Sequence, residues 1–260
     1  MTTETITTDI ATLPPTERAL IVLGSSKTER DLRELVCQAQ AITDIADQTG
    51  REPPLTMTEP QPKPTIIIGL VGLAGSGKDA VAGMLLSLWA ERGLKSMRIA
   101  FADPIRTMCL DLLLHARVQD PIRYMLDREL KEATIPELGV SYRHLAQTLG
   151  TEWGQKCLGR DVWIRVLDQR LKACRERQVT HFVIPDVRFA PEADWLRAQG
   201  GAIWRVERPG VEPVREHVSE SGTVTIQSDR VILNDGTLDE LRAYVGAELA
   251  RLNYERGMLA

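Results

Sequence analysis

Residues 65–79 read Thr-Ile-Ile-Ile-Gly-Leu-Val-Gly-Leu-Ala-Gly-Ser-Gly-Lys-Asp. The first seven form a continuous β-branched and apolar run, the composition of a strand buried on both faces of a parallel sheet. From Gly72 to Lys78 the spacing is GxxxxGK, and apolar residues at helical spacing (Val81, Met84, Leu85, Leu88) follow. Strand, glycine turn and helix in that order make a phosphate-binding loop, because successive backbone N–H groups converge on one anion at a helix N-terminus. The expected nucleotide site therefore comprises Gly72, Ala74, Gly75, Ser76, Gly77, Lys78, Asp79 and Ala80, with Lys78 reaching the β and γ phosphates. Asp79 stands where a Ser or Thr hydroxyl ordinarily meets Mg²⁺. A carboxylate can take that metal directly or through water, but its charge must be offset by the metal and nearby arginines.

Downstream, residues 97–101 predict a second strand, and a long helical region runs from about Pro104 to Arg177, interrupted near Pro136 to Val140. Third, fourth and fifth strands fall at His181–Pro185, 202–207 and 230–233, with helix from Glu192 to Gln199 between the first two of these. A final helix starts at Thr237, with Glu240 three residues on at capping-box spacing. Strands alternating with helices imply an α/β fold with a five-stranded parallel sheet covered on both faces. Trp153 and Trp163 share a helical pattern with Leu149 and Leu167, where burial is the simpler reading. Asp168, Arg170, Lys172, Arg175, Glu176 and Arg177 read as a solvated helix face.

The third strand runs into Pro185-Asp186-Val187-Arg188. Ligands of such sheets gather at the carboxyl ends of strands. Asp186 is therefore a candidate for the Mg²⁺ hydration shell and Arg188 for a bidentate phosphate clamp; the plainer alternative is a surface ion pair between them or with Glu192. No Asn-Lys-x-Asp motif follows that strand, which argues against a GTPase, and nothing suggests a motor, leaving a small-molecule kinase.

The chain has 260 residues with 32 Lys+Arg against 36 Asp+Glu, a formal charge of −4. That balance argues against a nucleic-acid polymer as partner, since such binders need excess cations to displace counterions. Of the cationic residues 25 are Arg and seven are Lys, an excess that codon bias accounts for most simply. Cys37, Cys109, Cys157 and Cys174 are scattered without metal spacing, so reduced thiols are expected. The longest apolar run, Ile66 to Ala74, is too short to span a bilayer, and the N-terminus lacks a signal-peptide pattern; a cytoplasmic protein without a membrane partner is expected. Residues 1–50 predict a helical hairpin appendage whose apolar stripe (Leu32, Leu35, Val36, Ala39, Ile42, Ile45) leans toward a homodimer. Five prolines in residues 51–64 predict an extended linker, the clearest boundary in the chain, ahead of a domain covering 65–260.

Several longer words carry a resemblance: GLVGLAGSGKD at 69–79, FADPIR at 101–106, LAQTLGTEWGQ at 145–155, RDVW at 160–163, PDVRFAPEADWLRAQGG at 185–201, RVERPG at 205–210, HVSE at 217–220 and NDGTLDEL at 234–241. In these the chain resembles the bacteriophage-type deoxynucleoside monophosphate kinases, whose members also carry Asp after the loop lysine. The resemblance implies a P-loop kinase fold that transfers the γ-phosphoryl group of ATP, with Mg²⁺, to a dNMP, giving ADP and dNDP, in the host cytoplasm if phage-encoded. It implies a monophosphate-binding region at about 101–165, opened by Asp103 and Arg106 and lined by Arg143, Gln147, Trp153, Arg160 and Asp161. It also implies a short lid at about 208–228 with Arg208 and Arg215 as phosphate-sensing cations. Two other readings stay open: a P-loop kinase of another phosphorylated or hydroxyl-bearing metabolite, with Asp186 as general base, and a non-enzymatic nucleotide-sensing protein.

Overall fold

The computed structural model describes residues 65–211 and 225–257. The expected hairpin and linker, Arg215, His217 and most of the expected lid lie outside the described residues. The chain divides into two compact units; the described part of one is residues 102–159, and the other is built from the flanking segments.

The flanking segments form the sheet unit. Its strands are β1 (Ile66–Val71), β2 (Ser96–Arg98), β3 (His181–Ile184), β4 (Ala202–Glu207) and β5 (Arg230–Leu233), in the order β2-β3-β1-β4-β5. Every pairing is parallel. Helices α1 (Lys78–Ala90), α2 (Val162–Glu176), α3 (Ala190–Ala198) and α4 (Leu238–Glu255) connect and cover them. The five-stranded parallel sheet expected from the sequence is thus present, with β1 at its centre.

Alternation along β1 explains why it reads as an unbroken apolar run. Ile66, Ile68 and Leu70 join Val81, Leu85 and Trp89 of α1 and Leu241, Val245 and Leu249 of α4 in one core. The opposite face lies against α3, so closely at Gly69 that an added Cβ would sit 2.4 Å from Leu196 Cδ1. Each fully buried Ile or Leu contributes about 1.5–3 kcal/mol, and a strand buried on both faces collects that from its apolar side chains on either side.

β2 ends earlier than its apolar sequence predicts. Ile99 N still donates to Val183 O at 3.1 Å, but Phe101 N donates to the Asp186 carboxylate at 3.0 Å instead of to a strand. Ile99, Ala100 and Phe101 are all buried, which accounts for their apolar character beyond the end of the strand. β4 and β5 match the expected residues, and Thr237 caps α4 reciprocally with Glu240: Thr237 N donates to Glu240 Oε2 at 2.8 Å, and Glu240 N to Thr237 Oγ1 at 3.3 Å.

The expected long helix is more broken than its periodicity suggests. In the helical unit, helices Asp103–His115, Pro121–Leu126 and Tyr142–Gln147 surround a two-stranded antiparallel ladder, Thr134–Ile135 with Val140–Ser141, where an interruption was expected. The core of this unit is Cys109, Leu110, Leu113, Val118, Met125, Ile135 and Tyr142. Thr148–Leu158 is a π-helix, burying Gly150 and Gly154. This wider winding turns Trp153 outward at 42% exposed, whereas Trp163 on α2 is 7% exposed, so the core reading holds for Trp163 and fails for Trp153. Asp168 also departs from the solvated-face reading: it accepts a hydrogen bond from Trp195 Nε1 at 3.3 Å and pairs with Lys172 at 2.8 Å. Among the described residues no helix is long and apolar enough to cross a membrane.

Candidate active site

The carboxyl ends of β1, β3 and β4 lie side by side, and the phosphate loop, Asp186, Arg188 and Arg208 follow directly on these strands. At the end of β1 the chain turns at Gly72, where a Cβ would stand 2.3 Å from Val206 O of β4. No side chain fits between these two backbones. Gly77 caps α1 with φ 103°, and no side chain caps the helix at that residue. First-turn amide donors of a helix have no intrahelical acceptor, so an anion at this end meets both donors and the positive end of the dipole.

Lys78 Nζ donates to Gly72 O at 2.7 Å and Leu73 O at 2.6 Å, closing the loop over its own ammonium. Asp79, with its side chain 68% exposed, stands 3.9 Å from Arg98 Nη2, and the Arg98 side chain is 11% exposed. This supplies the arginine that the unusual Asp79 calls for. Arg98 went unrecognised in the sequence, since it lies within an apolar strand word 19 residues from its partner.

At the end of β3, Asp186 is buried and its Oδ1 accepts from Phe101 N. Arg188, two residues on, is exposed. Glu192 does not pair with the guanidinium; its Oε2 accepts from the backbone N–H of Arg188 at 2.7 Å and of Phe189 at 3.1 Å. An acid at the third helical position reaching back over the helix start is the same device that caps α4. Here it fixes the backbone from which Arg188 projects. The sequence offered this signal, a Glu four residues after Arg188, but it also fitted an ion pair.

Burial pushes the Glu192 carboxyl up to about 8, with the Asp186 charge adding to the rise and the two backbone donors and Arg188 opposing it. The folded chain therefore holds a proton that the unfolded chain releases near 4.5. Stability from this group is full below about pH 4.5 and falls as pH rises toward 8. Glu192→Gln keeps an acceptor oxygen and cannot ionise. Its Tm, followed by circular dichroism, is expected to match that of wild type at pH 4 and exceed it by about 4 °C or more at pH 8. A Tm difference independent of pH would contradict the assignment.

Arg208 follows β4 and is exposed. Asn234, directly after β5, reaches back to the loop: its Nδ2 donates to Ser76 O at 2.9 Å. The contact spans 158 positions, so the motif around Asn234 carries no local sign of this role. Arg160 and Asp161 open the second segment of the sheet unit, where Asp161 pairs with Arg165 at 3.1 Å.

The remaining expected residues belong to the helical unit. Asp103 is 2% exposed at the start of helix Asp103–His115, and Arg106 is half-buried one turn later. Arg143 is exposed and pairs with Glu132. Gln147 ends its helix half-buried, just before the π-helix that carries Trp153. A cavity of about 240 Å³ in the sheet unit lies at the opposite, amino edge of β4 and β5, lined in part by Ala202, Asp229 and Arg230, and contains none of the expected residues. Among the described residues, no three His, Cys, Asp or Glu side chains group as metal ligands.

Residues 107–245, more than half of the chain, match the family model described as deoxynucleotide monophosphate kinase. A putative deoxynucleotide monophosphate kinase of Acanthamoeba polyphaga mimivirus is 28% identical over 198 residues, which cover 69% of this chain and 94% of that protein. The deoxynucleotide monophosphate kinase of Escherichia phage RB69 is 32% identical over 101 residues, 39% of this chain and 41% of the phage protein. Among solved structures, an unliganded sugar kinase from Janibacter sp. covers 76% of this chain and 99% of its own at 15% identity and a TM-score of 0.38.

Proposed function

Because this chain belongs to the deoxynucleotide monophosphate kinase family, we propose that it transfers the γ-phosphoryl group of ATP to the 5′-phosphate of a dNMP, releasing ADP and dNDP. The observation that carries the reading is the phosphate loop itself. Gly72 is pressed against Val206 O, α1 is left uncapped at Gly77 and Lys78 opens that helix, all at the carboxyl end of the central strand.

A dNMP phosphate oxygen is the nucleophile; it forms the new bond to the γ phosphorus as the bridge to the β phosphate breaks and its electrons leave with ADP. The acceptor phosphate has a second pKa near about 6, so at neutral pH it is mostly dianionic and needs no general base. What limits the reaction is holding two polyanions in line and cancelling their charge. Lys78 and the loop amides take the ATP phosphates, and Arg188 takes the acceptor phosphate. Asp103, Arg106, Arg143, Gln147, Trp153, Arg160 and Asp161 serve dNMP binding on the family resemblance, with 101–165 as the monophosphate region. Residues from Arg208 to about 228, including Arg215, serve as the lid.

Asp79 and Asp186 are the residues to hold Mg²⁺. The exposed Asp79 carboxylate beside the phosphate loop suits a metal that takes only one or two protein carboxylates and fills its shell with phosphate and water. Bound there, the metal would neutralise charge on the β and γ oxygens. The alternative of a hydroxyl acceptor would need Asp186 as base, yet its Oδ1 is already engaged by Phe101 N, which favours a holding role. The acceptor class is tested by ADP release from ATP across dNMPs, rNMPs and non-nucleotide acceptors. A dNMP is expected to stimulate release strongly, and stimulation only by a hydroxyl compound would sink the reading. Phage and mimivirus relatives fit action in the cytoplasm of an infected host.

A further inference from the structure

The glycine that lets the phosphate loop form also leaves it free to form wrongly. Gly77 has φ 103°. Glycine adopts positive and negative φ almost equally, so the peptide plane joining Ser76 to Gly77 can flip at little cost. In a trans peptide the C=O and N–H point in opposite directions. A flipped plane would turn the Ser76 carbonyl, rather than the Gly77 N–H, toward the phosphates, replacing a donor with an acceptor facing an anion.

Asn234 acts on that plane. Its own N–H donates to Glu207 O at 2.7 Å, so the residue is anchored to β4. Its Nδ2 donates to Ser76 O at 2.9 Å. The same nitrogen lies 2.4 Å from where a Cβ on Gly77 would stand, so the amide occupies the space that the glycine leaves. Resting on the reading of the loop as the ATP site, we infer that Asn234 is a positioning residue that locks the Ser76–Gly77 peptide with its carbonyl turned away from ATP and its N–H turned toward it. Gly77 and Asn234 work as a pair: one permits the conformation and the other selects it.

Two variants separate this from general support of the fold. Asn234→Ala removes the donor. Asn234→Asp keeps the shape but, when ionised, offers only acceptors to the Ser76 carbonyl; protonated, it regains an O–H donor. An aspartate beside a carbonyl and bound phosphate titrates above its usual value of about 3.9. ATP affinity is measured by isothermal titration calorimetry, and kcat/KM by steady-state kinetics, from pH 5.5 to 8.5 and relative to wild type at each pH. Asn234→Ala is expected to weaken ATP binding about tenfold or more while changing the KM for dNMP by less than about twofold. Asn234→Asp should bind ATP worse than Asn234→Ala at pH 8, and the gap should narrow toward pH 5.5, as the donor returns.

Three results would overturn the inference: ATP binding by Asn234→Ala within twofold of wild type, the same pH profile for both variants, or an Asn234→Ala protein that does not fold. A wild type that binds ATP but phosphorylates no dNMP would remove the acceptor reading instead, and the calorimetric comparison would still decide the role of Asn234.

Discussion

Lys78→Ala lowers kcat/KM at least a hundredfold, measured as dNMP-stimulated ADP release. The ammonium sits at the first position of α1 and donates to Gly72 O and Leu73 O, two carbonyls of the loop it must help to fill. On the proposed reading, that charge faces the phosphate oxygens on which negative charge builds. Removing one preorganised donor from a developing anion costs about 2.7–4 kcal/mol, a factor of about 10²–10³. A second effect works in the same direction, because the loop also loses its two internal bonds. Lys78→Arg separates the two. It keeps the charge, but its wide planar fork does not replace a compact ammonium, so activity should stay well below wild type. Activity of Lys78→Ala within tenfold of wild type would contradict the assignment.

Arg188→Ala gives a loss of similar size by a different route. Its side chain is exposed while its backbone is held by the Glu192 carboxyl group. Truncation should therefore leave Tm within about a degree of wild type, as surface substitutions do. A bidentate guanidinium–phosphate clamp is shorter and stronger than a neutral contact, and its loss should lower kcat/KM for the dNMP at least a hundredfold. Arg188→Lys should recover only part of this, since a point charge cannot reproduce the fork. Near-wild-type kinetics in Arg188→Ala would remove the residue from the site.

Local signals were legible in the sequence. The phosphate loop, β4, β5 and the Thr237–Glu240 box were each readable because the residues that make them are neighbours. Periodicity failed where a different cause produces the same pattern. Residues 99–101 look like strand because they are buried, and about 104–177 looks like one interrupted helix because hydrophobic spacing does not report a π-helix or a short ladder. Trp153 follows from that: a pattern drawn on 3.6 residues per turn puts it in a core, and the π-helical winding turns it out. The site split the same way. Lys78, Asp186 and Arg188 lie in words that can be read alone. Arg98 and Asn234 act by reaching another part of the fold, 19 residues away for Arg98 with Asp79 and 158 for Asn234 with Ser76. Glu192 acts instead on its own helix start, where its spacing from Arg188 also fits an ion pair.

The phosphoryl transfer itself is tested most directly by identifying the products. Wild-type protein is incubated with ATP, Mg²⁺ and each dNMP in turn, and the nucleotides are resolved by anion-exchange chromatography. With at least one dNMP, ADP and the matching dNDP should appear in equal amounts, with no excess inorganic phosphate. ADP accompanied by inorganic phosphate and unchanged dNMP in every reaction would contradict the account.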